Sequence, residues 1–456
     1  MRESRGGPAR LGVLALACSA VVVSFALPSA AARTTARTGN ARNAISERSA
    51  GRTKARARGA PTIFMVTPAY GSINGGARVT ITGQGFVDVS AVRFGAVSGR
   101  RLHVVSPSKL EVTSPPHKAG SVELVVVTKA GRSKSSRGLE FTYARVGTLS
   151  IFAGIPGSTG KPTPGSARKS HLDRPSGVAV DRSGDVYIAD TVNSVVEKVT
   201  PSGTLSIFAG IPGSQGLPKP GPATSSDLGS PTGVAVDSGG NVYISDGAND
   251  VVEKVTPSGT LSIFAGIPGQ VVGPPTPGPA TSSYLDFPAD VAVDGSGDVY
   301  IADSGNAVVE KVTPSGTLSI FASGLNDPTG VAVGGDGSVY IADYMGNNAV
   351  DKVTPSGTLS GVAGVTRITV TAVAVDGNGN VYVSVASGKN GGTCAVEKVT
   401  PAGKASVFAG IVTCPGGLPM PGPATSSPMH PSGLALDSNG NLYITDTSVV
   451  EKVSQP

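Results

Sequence analysis

The stretch 175-PSGVAVDRSGDVYIADTVNSVVEKVTPSGTLSIFAG-210 decides the fold of this chain. It contains four short runs rich in apolar and β-branched residues, GVAV, DVYIAD, VVEKV and TLSIFA. Runs of this kind, bounded by Gly, Pro and Asp, predict β-strands. Residues 181–184 suit a tight hairpin turn because Asp181 bonds its own local backbone and Gly184 accepts a positive φ, and residues 200–203 suit a second one because Pro201 fixes φ. The stretch therefore predicts an antiparallel unit of four strands.

Units of this kind recur along the chain, each with an alanine or valine-rich first strand. They begin at Gly177-Val178, Gly233-Val234, Asp290-Val291, Gly330-Val331, Ala372-Val373 and Gly433-Leu434. A four-stranded unit is too small to bury a core of its own, so units in series pack against one another as propeller blades. The repeats predict an all-β chain whose residues 145–456 form a six-bladed β-propeller.

The repeat motifs are P-x-G-V-A-V-D, G-[ND]-V-Y-I-A-D and V-x-K-V-x-P-x-G. On these motifs, residues 147–456 resemble the NHL-repeat family, and the GPATSS segments at 221–226, 278–283 and 422–427 resemble a subgroup of exported bacterial NHL proteins. The resemblance implies a propeller. It also raises an enzyme alternative, since NHL-like propellers include amidating lyases and relatives of streptogramin lyase, which use several histidines with a metal.

The segment GTLSIFAG at 147–154 has the sequence of a fourth strand, but no first three strands precede it. The sixth unit ends at VVEKV, 449–453, which is a third strand without a fourth. We predict that 149–153 pairs with 449–453, so that both ends of the propeller share one blade. This closure removes the free strand edges of an open array.

The first 59 residues read as an export signal and a linker. Residues 1–32 have a basic start, an apolar run and an Ala30-Ala31-Ala32 cleavage pattern, which predicts a secretory signal peptide. An uncleaved membrane anchor is the alternative. Residues 33–59 hold 8 basic residues and 1 acidic residue and little apolar content, which predicts a disordered basic linker. Such a linker suits electrostatic contact with an anionic wall or membrane surface. We expect the protein to be secreted, envelope-associated or, with an uncleaved signal, membrane-anchored.

Residues 60–144 alternate apolar and polar positions in short runs, as in ARVTITGQGF and SVELVVVT. Period-two alternation predicts a β-sandwich. This segment resembles the immunoglobulin-like IPT/TIG family in the stretches VTPAYGSINGGARVTITGQGF, AVRFG and FTY. Members of that family mostly serve as spacers or binding modules in surface proteins. Some relatives bind DNA, but residues 145–456 hold 16 basic and 25 acidic residues, and export argues against a nucleic-acid partner.

The connections between blades predict where a ligand binds. About twenty residues enter blades 1, 2, 3 and 6 (155–174, 211–230, 267–287 and 411–430), whereas blades 4 and 5 have short connections. We expect the long connections to wall one face and to leave a notch over blades 4 and 5. The candidate ligand-binding residues of the notch are Asp290, Tyr344, Met345, Asn347, Asn348, Lys389 and Asn390.

Several carboxylates and histidines could instead carry chemistry. Asp190, Asp246, Asp303, Asp343 and Asp446 end the second strands, and a residue needed by every blade is expected to cap backbone N–H groups of the following loop rather than bind calcium. Asp290 alone puts a charge on a first strand, where it must be solvated, paired or bound to a cation. His171 and His430 are the alternative metal ligands, but no third propeller histidine completes a zinc set. We predict no catalytic residue, no cofactor and no metal.

The two cysteines of the exported chain, Cys394 and Cys414, flank the second hairpin of blade 5. With Thr400 opposite Ala405, Cys394 lies opposite Ile411, close to Cys414. Export permits oxidation, so the pattern predicts a Cys394–Cys414 disulfide.

Two classes of function follow from the sequence. The first is a monomeric, non-enzymatic binding module that presents the propeller to a protein, peptide or glycan of the cell envelope. The alternative is a propeller enzyme, a lyase or lactone hydrolase, with a metal-assisted site on the loop-bearing face.

Overall fold

The computed structural model describes residues 59–67, 70–133, 140–144, 147–269, 273–346, 349–365, 370–385, 394–411 and 417–454. The predicted signal peptide and almost all of the predicted linker lie outside these residues, so both stay predictions. Strands and turns make up most of the described part of the chain, with four single 3-10 turns. A search of the described residues finds no helix with the length and hydropathy of a membrane span.

Two packed sheets form the first domain. The first sheet has the strand order Thr62–Thr67, Arg78–Gln84, Lys109–Thr113, Arg100–Ser106. The second has the order Tyr70–Ser72, Glu140–Ala144, Gly120–Thr128, Val89–Phe94, Val97–Ser98, with Gly131–Arg132 beside Gly120–Thr128. Phe94, Phe141 and Tyr143 are buried and meet edge-to-face in the core. The predicted sandwich is confirmed.

Four strands of the sandwich are absent from the sequence prediction: Tyr70–Ser72, Val97–Ser98, Gly131–Arg132 and, the longest of them, Arg100–Ser106. Arg100–Ser106 pairs with Lys109–Thr113 at the edge of the first sheet, and most of its side chains are exposed. A strand without a buried face lacks the alternation of apolar and polar residues on which such a prediction depends.

The described part of residues 148–454 contains six further sheets, each with four antiparallel blade strands. In blades 1 to 3 these strands are Pro175–Val180, Val186–Asp190, Val195–Val199 and Thr204–Gly210; Pro231–Val236, Val242–Asp246, Val251–Val255 and Thr260–Gly266; and Pro288–Val293, Val299–Asp303, Val308–Val312 and Thr317–Ala322. In blades 4 to 6 they are Pro328–Val333, Val339–Asp343, Val350–Val353 and Leu359–Gly361; Val370–Val375, Val381–Val385, Cys394–Val399 and Ala405–Ile411; and Leu434–Leu436, Leu442–Asp446, Val449–Ser454 and Thr148–Gly154.

The first strands of successive blades lie side by side, and the first strand of blade 6 lies beside that of blade 1. The ring is therefore closed around an axis, and the predicted propeller is confirmed. We call the face at which the first strands begin the upper face. The opposite, lower face holds the hairpin turns that follow strands 1 and 3.

The hairpin turns after strand 1 show the predicted chemistry. In blade 1, Asp181 Oδ1 accepts hydrogen bonds from the backbone N–H groups of Ser183 (2.8 Å) and Asp185 (2.9 Å). Gly184 has a φ of 82°, which a residue with a side chain rarely adopts. The turn thus stabilises the hairpin through contacts within a few residues, without a contribution from another blade.

The predicted closure is confirmed. Thr148–Gly154 pairs antiparallel with Val449–Ser454, with Leu149 opposite Val453. The register shifts between Ile151 and Ala153, because Phe152 is the extra residue of a β-bulge. Leu149 is fully buried, so the strand contributes to the core as well as to the sheet.

The long connections lie differently from the prediction. Each connection adds a two-residue strand that pairs with the start of the fourth strand of the blade that it enters. These edge strands are Gly165–Ser166 in blade 1, Gly221–Pro222 in blade 2, Gly278–Pro279 in blade 3 and Gly422–Pro423 in blade 6. A 3-10 turn follows, and its first residue is buried in the cleft between two blades: Ala167, Ala223, Ala280 and Ala424. Fourth strands start at the lower face, so these connections run down the outside of the propeller. The expectation that they wall the upper face is wrong for their central parts.

In the second hairpin of blade 5, the predicted strand register is wrong at the turn, and the predicted disulfide partner of Cys394 is not described. Val399, not Thr400, lies opposite Ala405, and a bulge beside Val396 takes up the difference, so that Cys394 does lie opposite Ile411. Cys394 is disulfide-bonded. Its predicted partner, Cys414, lies outside the described residues, so the pairing stays a prediction.

Loss of the closing strand is expected to destabilise the whole propeller. Deletion of 147–154 exposes the edge of Val449–Ser454, and Leu149→Ala alone removes a fully buried side chain, which costs roughly 2–5 kcal/mol of the free energy of unfolding. Thermal unfolding followed by circular dichroism should show a lower Tm for both variants. Ser150→Ala, on the same strand, is the control and should leave the Tm nearly unchanged. A Leu149→Ala variant as stable as Ser150→Ala would contradict a stabilising closure.

Candidate functional site

An axial channel of about 480 Å³ runs between the first strands of the six blades. Near its upper end, each blade contributes the residue at the x position of the P-x-G motif, or at the equivalent position of the first strand. These residues are Ser176, Thr232, Ala289, Thr329, Thr371 and Ser432. Five of these six residues carry a hydroxyl group. The sequence therefore places polar groups at one end of an otherwise apolar channel.

Four of these hydroxyl groups join their blade to the next one. The Oγ1 or Oγ atom donates to the carbonyl oxygen of the following blade in four cases: Thr232 to Pro288 (3.1 Å), Thr329 to Val370 (3.4 Å), Thr371 to Pro431 (3.3 Å) and Ser432 to Pro175 (2.9 Å). Between blades 1 and 2, Thr191 Oγ1 donates to the Pro231 carbonyl (2.8 Å). The result is a ring of hydrogen bonds around the channel, so the hydroxyls have a structural role.

Asp290 supplies the link that blade 3 otherwise lacks. Ala289 has no hydroxyl, and Asp290 Oδ2 instead accepts a hydrogen bond from the backbone N–H of Val331 in blade 4 (3.0 Å). Asp290 is half-buried and lines the channel. Burial raises the pKa of its carboxyl to about 7, although hydrogen bonds from the Val331 and Val291 N–H groups act in the opposite direction. The unusual charge thus has a partner within the ring, and a role in ligand binding stays a proposal.

The aspartates that end the second strands bind backbone N–H groups, but of a different loop from the one predicted. Asp190 accepts a hydrogen bond from the N–H of Asp173 (2.9 Å), and Asp246 from those of Gly229 (2.7 Å) and Ser230 (2.8 Å). All three donors lie in the connection that enters the first strand. Backbone N–H groups of the following loop are bound as well by Asp303, from Asn306, and by Asp446, from Thr447. These aspartates fix the entering connections onto the upper face.

A fully buried glutamate of the third strand lies beside each of four of these aspartates: Glu197, Glu253, Glu310 and Glu451. Burial raises the pKa of each glutamate well above its usual value, and the neighbouring aspartate adds to the effect. In blades 1 to 3 the glutamate and its aspartate share a side-chain hydrogen bond, for which one of the two carboxyl groups must hold a proton. We infer that these glutamates are neutral in the folded protein.

Two of the predicted notch residues lie together on the loop after the second strand of blade 4. The N–H of Tyr344 donates to the Asp327 carbonyl (3.0 Å), and the N–H of Met345 to the Asn326 carbonyl (3.0 Å). The Met345 side chain is 61% exposed. Asn347, Asn348, Lys389 and Asn390 lie outside the described residues, so the notch as a whole stays a prediction. Asp290 belongs to the channel rather than to this loop.

The sequence reasoning missed a set of residues on the upper face that directly precede the first strands. Arg174, Phe287 and Asp327 occupy equivalent positions, and all three have a positive φ, of 53°, 54° and 72°. Non-glycine residues rarely adopt this conformation, and it is frequent at functional sites. The sequence signal was available, because this position differs in every blade while the strand that follows repeats.

Phe287 is the most unusual member of this set. Its N–H donates to Asp250 Oδ1 (2.9 Å), and its side chain is 47% exposed. The ring lies against Gly247 of blade 2, where an added Cβ would stand 3.1 Å from it. The structure therefore holds a partly exposed aromatic ring in a strained, fixed position.

The two propeller histidines differ in their surroundings. His171 is half-buried, and its Nδ1 lies 3.2 Å from Ser158 Oγ. The His430 side chain is exposed, and the backbone N–H of His430 donates to Asp446 Oδ2 (2.9 Å). Among the described residues, no group of three or more His, Cys, Asp or Glu side chains could hold a metal ion. The metal alternative therefore gains no support from this part of the chain.

Comparison with protein families gives two matches. Residues 61–143 match the IPT/TIG domain, and residues 172–196 and 285–309 match the NHL repeat. A search of curated protein sequences gives no match.

Solved structures similar to this chain include two from Bacteroides thetaiotaomicron VPI-5482. A protein of unknown function has 16% identity and a TM-score of 0.52, over 87% of this chain and 98% of that one. An auxiliary nutrient binding protein has 11% identity and a TM-score of 0.50, over 88% and 99%. A streptogramin B lyase has 15% identity and a TM-score of 0.43, over 68% and 98%. At these identities the likeness shows the fold alone.

The channel ring gives a prediction about Asp290. Asp290→Gly removes the link to blade 4 and is expected to lower the Tm at neutral pH. The double change Ala289→Thr with Asp290→Gly recreates the sequence of blades 2 and 4 and should restore the link and the Tm.

The pH dependence of these variants follows from the raised pKa of Asp290. Between pH 3.8 and about pH 7, Asp290 keeps a proton in the folded protein that it releases in the unfolded chain. The free energy of unfolding therefore falls as the pH rises through this range. The double variant should lose less stability over this range than the wild type. Equal losses in both proteins would contradict the assignment.

The buried glutamates give a second prediction, in which the free energy of unfolding again falls as the pH rises. Glu253 keeps its proton in the folded protein, whereas the unfolded chain releases it above about 4.5, so the free energy of unfolding of the wild type falls with rising pH. Glu253→Gln is always neutral, and its Tm should exceed that of the wild type by a margin that grows from about pH 5 to about pH 8. The control, Glu140→Gln, changes an exposed residue. A Glu253→Gln margin that is the same at both pH values would show that this glutamate is ionised when folded.

Proposed function

We propose that this chain, an IPT/TIG domain followed by a propeller of NHL repeats, is an exported, non-enzymatic binding module. The ligand is a protein or peptide, held on the upper face of the propeller. A glycan ligand is the alternative within the same class. The predicted signal peptide at 1–32 supports export, and the IPT/TIG domain is suited to act as a spacer in the cell envelope.

The observation that carries this proposal is the conformation of Phe287. Holding a non-glycine residue at a φ of 54° costs on the order of 1–3 kcal/mol, and the hydrogen bond from its N–H to Asp250 offsets part of this cost. Aromatic rings that are partly exposed and fixed in place are typical anchors of protein interfaces. Arg174 and Asp327 share this backbone conformation, so what blade 3 adds is the partly exposed aromatic ring itself, and contact with a ligand explains that ring better than the fold does.

The chemistry around Phe287 suits a polypeptide. Arg174, Asp327 and His430 take the equivalent positions of other blades and add both signs of charge or a hydrogen-bonding ring. Val192 and Met345 are apolar upper-face residues, with side chains 45% and 61% exposed. Protein interfaces combine an apolar centre with a polar rim. The upper face offers both.

The similar solved structures include both a binding protein and an enzyme, and they do not support the two functions equally. The auxiliary nutrient binding protein supports a binding role. A lyase is also a neighbour, but its TM-score of 0.43 carries no argument beyond the fold. The enzyme alternative would depend on His171 and His430, and we keep binding as the proposal because Phe287 has no role in such a site.

A display experiment tests the proposal. The chain from residue 33 onward is immobilised, and binders are selected from a library of displayed peptides. Phe287→Asn with Met345→Ser removes the proposed anchors, and Asn tolerates the left-handed conformation. We expect the affinity for selected peptides to fall about tenfold or more.

The matched control changes apolar residues of similar exposure on the long connections. Leu217 and Leu418 are 49% and 54% exposed, and the double change Leu217→Ser with Leu418→Ser should leave the affinity unchanged. If the control variant loses binding and the Phe287 variant keeps it, the ligand lies on the connections and the proposed surface is wrong.

A further inference from the structure

The cleft between blades 4 and 5 contains a cavity of about 460 Å³ on the side of the lower face. From blade 4 it is lined by Tyr340, Lys352 and Val362, and from blade 5 by Val375, Val381 and Pro401. None of these residues belongs to the upper face. The cavity is thus separate from the proposed peptide-binding surface.

The cavity lies where the other blades have a phenylalanine. In five blades the Phe of the fourth strand meets the Tyr of the second strand edge-to-face, with ring centroids 4.9 or 5.0 Å apart: Phe152 with Tyr443, Phe208 with Tyr187, Phe264 with Tyr243, Phe321 with Tyr300 and Phe408 with Tyr382. Blade 4 has Gly361-Val362 where these blades have Ile-Phe or Val-Phe. Tyr340 therefore keeps its position in the repeat while valine replaces its aromatic partner.

The described residues give this cleft no buried alanine of the kind that closes most other clefts; the exposed Ala363 and the following Gly364 lie against Gly403 of blade 5 instead. A buried alanine from a long connection closes four clefts, but the connections into blades 4 and 5 are short and add no fifth strand in the described residues. The cleft between blades 3 and 4 is filled by Phe321 and Leu325 instead. Within the part of the chain that the structure describes, a missing phenylalanine and a missing buried alanine coincide only between blades 4 and 5.

Polar groups stand at the rim of the cavity. Lys352 Nζ lies 5.0 Å from the centre of the Tyr340 ring and donates to Asp336 Oδ2 (3.2 Å). Asp336 also accepts hydrogen bonds from Ser338. The site therefore combines one aromatic wall, aliphatic walls from two blades and a charged pair at its opening.

We propose that this cavity is a binding site for a ligand with a single aromatic ring. The ring occupies the place that phenylalanine takes in the other five blades and meets Tyr340 edge-to-face. Edge-to-face contact adds to the burial of apolar area. A polar substituent on the ring reaches Lys352 or Asp336. The ring belongs either to a small phenolic molecule or to an aromatic side chain of a polypeptide.

Calorimetric titration of the full chain with p-cresol tests the site. The decisive variant is Val362→Phe, which places in blade 4 the residue found at this position in the other five blades and so is expected to fold with a raised Tm. We expect p-cresol to bind the wild type and to bind Val362→Phe about tenfold more weakly or worse. The control is Leu359→Phe, which adds a ring to the same strand at a residue that is 46% exposed and does not line the cavity.

Two further probes separate the parts of the proposal. 4-Methylcyclohexanol has the shape of p-cresol without the aromatic ring and should bind several-fold more weakly. Comparison of p-cresol with acetyl-phenylalanine amide identifies the source of the ring, since a small-molecule site favours the former and a polypeptide site the latter. Equal affinity of p-cresol for wild type and Val362→Phe, no binding to the wild type, or equal binding of 4-methylcyclohexanol would each overturn the proposal.

Discussion

The pairing of Thr148–Gly154 with Val449–Ser454 is the constraint on which the propeller depends. It closes the ring, and a closed ring is needed for the hydroxyl link from Ser432 in blade 6 to Pro175 in blade 1. Leu149 and Val453 from this pair of strands also belong to the apolar cluster shared with blade 5. One strand thus supports the outer sheet, the cleft packing and the channel ring together.

Departures from the repeat carry more information than the repeat itself. Asp290 departs from glycine and, in compensation, takes over a link that Ala289 cannot make. Val362 departs from phenylalanine and nothing in the described residues replaces the lost ring, so a cavity remains. Phe287 departs from its equivalents by placing a partly exposed aromatic ring on a backbone conformation that Arg174 and Asp327 also adopt. The first departure is compensated within the fold, whereas the other two leave a cavity and an exposed ring for which the fold gives no reason.

Sequence reasoning predicted what repetition and local chemistry determine. The closing strand was predictable because 147–154 matches fourth strands elsewhere, and the hairpin turns because Asp181 and Gly184 act within a few residues. The fifth edge strands were not, because Gly221–Pro222 has no strand pattern and pairs only through its backbone. The blade 5 register was wrong by one residue at the turn, since a bulge cannot be placed from apolar alternation. Phe287 and the cavity depend on backbone angles and on the space between blades, which spacing along the chain does not reveal.

The closing strand also makes the protein a potential donor to other copies of itself. The third strands of blades 1, 2, 3 and 6 have the same sequence, VVEKV, and the fourth strands of blades 6, 1, 2 and 3 all contain TLSIFA. In blades 1 to 3 a short hairpin ties each fourth strand to its own third strand, and such local pairs form fast. The third strand of blade 6 pairs instead with residues 148–154, which lie about 300 residues away along the chain, so closing this pair costs much more chain entropy than closing a hairpin. Until that partner arrives, the strand edge accepts the equivalent segment of a neighbouring molecule equally well. We therefore expect domain-swapped dimers and chains to be the characteristic misassembly of this architecture, favoured by a high local concentration of the chain.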